Sequence, residues 1–305
     1  MFTHHQNKMK TIQTTKYYPL STYLKDKFGE KVYKITIDAG FTCPNRDGTI
    51  SSKGCIFCDN GGSFSQAHSN TLTIKEQIET GIESQHARFK ANKFMAYFQA
   101  YTNTYKPVEI LKQNYDEALT NPKVVGLSIG TRPDCVDSEK LNLIQSYNKD
   151  YEVWIEYGMQ TIHDKSLSWM NRGHDFNTFL KAYEETKSRN IKVCAHVILG
   201  LPTETKEDML KTAEKLADLK VDGVKFHALC VMPNTELERL YTNKEINLLS
   251  EDEYVDIVCE CLKILPNSTI IHRLAGNGLS SEMIAPLWLN SKWATLNKIN
   301  EKLSM

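Results

Sequence analysis

Three cysteines fall within sixteen residues, in Cys43-Pro44-Asn45-Arg46 and Cys55-Ile56-Phe57-Cys58, directly after an apolar run over 32–38. Clustered thiols are a metal site first, because thiolates are soft donors suited to zinc or to an iron–sulfur cluster. Three protein ligands leave one metal corner for something else, and an open corner suggests catalysis. A structural zinc site would need a fourth ligand, and His68, ten residues beyond Cys58, is of the right type. A disulfide framework fits less well, since a chain of 305 residues with 41% hydrophobic content builds a core without staples. Cys135, Cys194 and Cys230 lie in or beside apolar runs, where a free thiol behaves as a small hydrophobe. Cys259 and Cys261 stand two apart on a predicted helix and point to different faces, so they do not indicate a second cluster.

The elements that must carry this loop alternate in type. Apolar strand-like runs cover 32–38, 94–100, 124–129, 152–157, 192–199, 223–229 and 269–271. Amphipathic stretches at 73–90, 138–147, 176–189, 206–219 and 251–265 fall between them, and 17–28 reads as a helix leading into the first strand. Alternation of this kind predicts an α/β fold with a parallel sheet and crossover helices. No GxGxxG turn follows the first strand, and six or so repeats are fewer than a full eightfold barrel. The expected organisation is an amino-terminal extension over 1–30, a barrel-like catalytic domain over 31–275 and a helical extension over 276–305. In a barrel the chemistry belongs at the carboxyl ends of the strands, which is where Cys43 falls.

The cysteine loop resembles that of radical S-adenosylmethionine (SAM) enzymes. In that superfamily three cysteines hold three irons of a [4Fe-4S] cluster and SAM chelates the fourth. An aromatic residue usually precedes the last cysteine, as Phe57 does here; the eleven residues between Cys43 and Cys55 replace a shorter usual spacing. The resemblance implies a partial (β/α)6 TIM-like barrel with short terminal extensions. It also implies that an electron passed to bound SAM yields a 5′-deoxyadenosyl radical that takes a substrate hydrogen, the protein's share being to bind, orient and exclude water. Carried over residue by residue, Gln99, Thr102 and Asn103 after the second strand occupy the place of a SAM-binding segment, without its usual glycines. Glu156 and Gln160 would bind the SAM amino or ribose groups, and Arg172, in Asn171-Arg172-Gly173-His174, its carboxylate. Gly200 and Leu201, in Gly200-Leu201-Pro202-Thr203-Glu204-Thr205, match a segment that contacts adenine; the same residues also read as a turn in which Thr203 or Thr205 caps the next helix.

Across nearly its full length the chain is similar to YtqA/YhcC-like bacterial radical SAM proteins, which are related to the radical SAM domain of the Elongator catalytic subunit. The segments that carry this are Lys27-Phe28-Gly29, Val32-Tyr33-Lys34, the run 40–48 and Ile284-Ala285-Pro286-Leu287-Trp288. The kinship points to tRNA as substrate, with a wobble-uridine carboxymethylaminomethyl group matured toward aminomethyl, and to a reductant such as flavodoxin or ferredoxin. Residues His163, Arg172, His174, His227, His272 and Arg273 near strand ends would meet phosphate or donate protons, and Tyr101, Tyr105, Trp288 and Trp293 would stack a base or pack. Thirty-seven basic and 37 acidic residues give a net charge of zero, which excludes the whole-chain basic field of a generic nucleic-acid binder and equally suits a small metabolite or porphyrinogen. A zinc-stabilised binding module would share only the cysteines. With no run of eighteen apolar residues, no apolar core near the amino terminus and reactive thiols, the expectation is a cytoplasmic protein without a membrane span.

Overall fold

The computed structural model describes residues 16–59, 72–276 and 283–305; His68 lies outside them. Eight strands form one sheet among the described residues: β1 Tyr18–Pro19, β2 Val32–Ile37, β3 Lys93–Phe98, β4 Val124–Thr131, β5 Glu152–Gln160, β6 Lys192–Leu199, β7 Gly223–Ala228 and β8 Ile270–Arg273. Their order is β1-β8-β7-β6-β5-β4-β3-β2, every neighbouring pair is parallel, and β1 and β2 stand unpaired with each other at the two edges. The sheet is therefore a curled partial barrel. The helices are α1 Leu20–Phe28, α2 Ile74–Phe89, α3 Val108–Ala118, α4 Ser138–Ser146, α5 Asp164–Trp169, α6 Phe176–Lys187, α7 Lys206–Asp218, α8 Glu236–Thr242, α9 Glu251–Ile264 and α10 Lys292–Ser304. Each of β2 to β7 is followed by at least one helix, so six βα units carry the barrel, as the alternation predicts.

Strand alternation sorts the side chains into two sets. Along β5, Val153, Ile155, Tyr157 and Met159 point outward into the main core with the buried faces of the helices. Trp154 points inward and joins Leu24, Val32, Met95, Cys194 and Ile270 in a separate apolar plug. The plug closes the amino-terminal end of the barrel. Beside it Glu152 accepts hydrogen bonds from Tyr23 at 2.8 Å and from the Trp154 indole at 2.8 Å, and it pairs with Lys27 and Lys192. These contacts tie α1 to β5 and β6, so the amino-terminal segment is part of the barrel floor.

Within the segment read as one helix, 17–28, Tyr18 and Pro19 instead pair as β1 with β8. Pro19 explains the difference: it sits at the N-cap of α1 with extended backbone, at a sheet edge where its missing N–H costs nothing. The helix starts are otherwise chemically marked. Thr73, Thr205 and Ser250 each close a capping box, with Glu76, Asp208 and Glu253 respectively. Thr205, not Thr203, is the cap of α7. All eight cysteines are free, and Cys135, Cys194, Cys259 and Cys261 are buried. No helix among the described residues is long and apolar enough to cross a membrane.

Candidate active site

The cysteine loop leaves the carboxyl end of β2, where Cys43 begins a turn closed by hydrogen bonds from the Arg46 and Asp47 amides to its carbonyl. The second half is anchored from two sides: the Ile56 amide donates to Met170 O at 3.1 Å, and the Leu237 amide donates to Ile56 O at 2.9 Å. Ile56 and Phe57 rest on an apolar cluster built from Leu167, Met170, Ile198, Leu201, Leu229 and Leu237. The aromatic residue before Cys58 is thus a packing anchor that sets the loop against the ends of β5 to β7.

Polar donors converge on the sulfurs. Asn45 Nδ2 stands 3.5 Å from Cys55 Sγ and Arg172 Nη1 3.4 Å from the same atom, while Arg46 Nη1 lies 3.5 Å from Cys58 Sγ. Donors of this kind stabilise thiolate and tune a bound metal group. Burial, with Cys55 adding to it, pushes the Cys58 thiol up to about 11, and Arg46 acts the other way. A metal that takes this sulfur as thiolate must displace its proton. The fit to a cluster is also steric. Among the described residues, three metal-ligand atoms come within 4.8 Å of one another only at Glu156, Cys194 and His272. At least one pair of loop sulfurs therefore stands wider than the about 3.8 Å between ligands of a tetrahedral zinc site, which follows from Zn–S bonds of about 2.3 Å.

Around the loop lie buried polar atoms with no protein partner: Asn45 Oδ1, Arg132 Nη1 and His174 Nε2. Arg132 is otherwise held in a two-pronged pair with Asp134, at 2.8 and 2.7 Å, and its charge is felt by Cys43 and Cys55. Orphaned buried donors and acceptors are costly unless a ligand completes them, so this rim suits a polar cofactor beside the cluster. Arg172 is more fully engaged: besides Cys55 it donates to Gly158 O from Nη2 at 2.8 Å and from Nε at 3.3 Å. A Cβ on Gly158 would stand 2.6 Å from Arg172 Nη2, so only glycine admits the guanidinium there. Gln160, with φ of 74°, ends β5 beyond a register shift that starts at Tyr157, a bulge that re-aims the chain at the rim.

The other expected SAM contacts are distributed unevenly. Gln99 is half-buried at the end of β3. Thr102 and Asn103 are buried; the Thr102 amide donates to Thr42 O, and the Asn103 amide and Nδ2 both donate to Gly130 O, so they bind the β3–α3 loop to the cysteine loop and β4. Gly200 has φ of 89° and its amide meets Met209 Sδ at 3.2 Å, while Leu201 packs in the same cluster as Phe57. Glu156 sits mid-strand inside the barrel, two residues below Gly158. Trp288 packs on Tyr254, and its indole donates to Leu249 O, whereas Trp293 is 75% exposed.

Glu156 heads a charged layer that the strand pattern only hints at. Its carboxylate accepts from Ser128 Oγ at 2.6 Å and His196 Nε2 at 2.8 Å and pairs with Lys225 at 3.1 Å and with Lys34. Lys225 Nζ also donates to Tyr97 Oη at 2.7 Å, and His272 Nδ1 lies 3.6 Å from the carboxylate. Burial opposes the charge on Glu156, and Lys225 and Lys34 outweigh it, holding the carboxyl well below its usual range. Burial first, then the lumen cations, lowers His196 to about 3, while burial with opposition from Glu156 leaves His272 at about 4. His227 is also well below its ordinary value, through burial and then Arg273. These three histidines are neutral in the fold at pH 7 but protonate in the unfolded chain below about 6.5. The unfolded chain then binds more protons, so stability falls as pH drops from about 6.5 toward 4, by about 1.4 kcal/mol per pH unit for each histidine. We expect melting temperatures followed by circular dichroism to decline across that window and His196→Gln to flatten the decline; a flat wild-type profile would contradict the assignment. Lys225 and Tyr97 are residues that motif reading leaves out, and Lys34 enters it only within Val32-Tyr33-Lys34, without a role, although a lysine in the middle of the apolar run at β7 is a visible signal.

Comparison with known proteins gives a consistent result. A family model described as the radical SAM superfamily matches residues 43–216, and one described as the radical SAM C-terminal domain matches 221–305. The chain is 39% identical over 288 residues to the uncharacterized protein YtqA of Bacillus subtilis, covering 94% of this chain and 89% of that one. It is 29% identical over 147 residues to the tRNA uridine(34) acetyltransferase of Methanocaldococcus jannaschii, or 47% of this chain and 27% of that protein. The structure matches the archaeal Elp3 of Methanocaldococcus infernus with a TM-score of 0.65 at 18% identity, covering 88% of this chain and 63% of that one, a likeness of fold.

Proposed function

This chain belongs to the radical SAM superfamily, and we propose that it acts on the C5 side chain of the wobble uridine of tRNA, taking a hydrogen atom from a carboxymethylaminomethyl group. Its cofactors are a [4Fe-4S] cluster and SAM, which when bound supply reductive cleavage of SAM and abstraction of a substrate hydrogen atom. Cys43, Cys55 and Cys58 are the residues that would hold the cluster. Asn45 and Arg172 at Cys55 and Arg46 at Cys58 would stabilise those sulfurs as thiolates. Gln99, Thr102, Asn103, Glu156, Gln160, Arg172, Gly200 and Leu201 are proposed for SAM, with Arg172 fixing the Gly158 carbonyl beside it and the Thr102 amide and the Asn103 amide and side chain also holding the loop shape.

The observation that carries the tRNA reading is the similarity to a tRNA uridine(34) acetyltransferase, supported by the match in fold to an Elp3. The chain spans about a quarter of that acetyltransferase, so acetyl transfer is not carried over with it. A strongly exposed Trp293, beside Lys292, offers a surface for a base or a phosphate outside the barrel. The reading places the protein in the cytoplasm with a flavodoxin or ferredoxin as electron donor.

The test is anaerobic. With the reconstituted, reduced protein and SAM, 5′-deoxyadenosine is expected to rise severalfold on addition of bulk tRNA from cells lacking this gene, and not with tRNA from cells that have it. Deoxyadenosine that ignores both tRNA pools would remove tRNA as substrate and leave the enzyme class standing.

A further inference from the structure

The charged layer inside the barrel is out of balance. Lys34, Lys225 and Arg273 act there against one carboxylate, Glu156, and the histidines that complete the layer are neutral at pH 7. Arg273, at the end of β8, has no carboxylate partner among the described residues, yet its charge is felt by Tyr97, Lys225, His196 and His227. Surplus positive charge in a lumen walled by apolar side chains is unfavourable unless an anion or water compensates it. Two further observations point to a ligand. His227 Nε2 and His272 Nε2 are buried without a hydrogen-bond partner, while His272 Nδ1 faces Glu156 at 3.6 Å. The layer is also reachable, since the Lys34 and His196 side chains keep 20% and 17% of their surface. Glu156, Cys194 and His272 do bring ligand atoms together, but two ammonium groups already neutralise the carboxylate, so the layer favours an anion over a metal cation.

We propose that this layer is the floor of the substrate site and that Arg273, Lys34 and Lys225 bind a carboxylate carried by the substrate, with His196 and His227 beside it. The carboxymethyl arm of the uridine side chain is such a group; its identity rests on the function proposed above, whereas the anion site does not. Depth supports the assignment. Glu156 lies two residues below Gly158 along β5, about 6.6 Å at strand rise, so a carboxylate held here lies below the rim where Arg172 meets Cys55 and the arm that carries it would extend toward that rim. Arginine contributes a planar fork matched to a carboxylate, and the lysines contribute point charges.

The experiment uses the full chain without tRNA. Histidine-ring NMR signals are followed at constant ionic strength while acetate, inorganic phosphate or methylammonium is added. Acetate is expected to shift His196 and His227 saturably, methylammonium to leave them unmoved, and Arg273→Gln to weaken acetate binding by about tenfold or more, the loss of one charge-assisted contact. Arg273→Lys, which keeps the charge, recovers part of that loss; should Arg273→Gln fail to fold, Lys34→Met takes its place. No saturable acetate shift, or unchanged binding in the variants, overturns the proposal, and phosphate binding as tightly as acetate overturns the choice of carboxylate. Acetate binding with tRNA-insensitive deoxyadenosine formation would sink the tRNA reading alone, whereas tRNA-dependent turnover without an acetate site would sink this one.

Discussion

Alanine at Cys43, Cys55 or Cys58 is expected to leave a protein that is folded but colourless after anaerobic reconstitution, with 5′-deoxyadenosine formation at background. Each sulfur would be a separate corner of the cluster site, and the thiols of Cys135 and Cys230 are no substitute: they belong to different strand ends, and burial pushes both up to about 12. The fold should survive. Cys55 is the buried member, and replacing its thiol by hydrogen costs on the order of 1 kcal/mol, since the loop remains anchored by backbone bonds to Met170 and Leu237. Iron content, visible absorbance and deoxyadenosine yield check this together with a melting curve, and Cys230→Ala serves as the control that stays brown. A single loop variant that remains brown and cleaves SAM would remove the central assignment, while a wild-type chain that binds zinc and refuses iron and sulfide would return the loop to the structural reading.

What could be read from the sequence, and what could not, divides along a physical line. The barrel units were legible because β2 to β8 are apolar runs punctuated by helices whose caps are written in Thr, Ser and Asp. The cysteine loop was legible because its ligands are close in sequence. β1 was not, being two residues long and defined only by a partner 252 positions away, Tyr18 with Ile270. The donors on the sulfurs were half-visible: Asn45 and Arg46 sit inside the cysteine motif, but nothing local ties Arg172 to Cys55, 117 residues apart. The lumen layer was the hardest. Glu156 reads as a strand-end carboxylate when the strand is taken to stop at 157; the strand continues to Gln160, which puts Glu156 inside the barrel rather than on its rim. Its cations come from β2 and β7, brought together only by the closing of the sheet.

Glu156→Gln is therefore expected to be the most destabilising single change in the barrel interior. Both carboxylate oxygens are already engaged, one by Ser128 and Lys34 and the other by His196 and Lys225. The amide keeps the volume and removes the charge, so two ammonium groups and the Arg273 guanidinium are left facing one another in a low-dielectric space. Removing one partner of a buried ion pair costs about 3–5 kcal/mol, far more than the net worth of the intact pair, because the charges left behind cannot rehydrate. For a chain of this size the melting temperature should fall by on the order of 10 °C. Removing a cation as well separates causes: Glu156→Gln combined with Lys225→Met should be more stable than Glu156→Gln alone, a positive coupling measurable in a double-mutant cycle. If Glu156 acts only through this layer, the double variant recovers SAM affinity along with stability. A double variant that regains its melting temperature yet binds SAM as poorly as the single one would show that the carboxylate also touches the cofactor, the role its place in the motif implies. Equal stability of the single variant and the wild type would mean that water, not Glu156, balances the lysines.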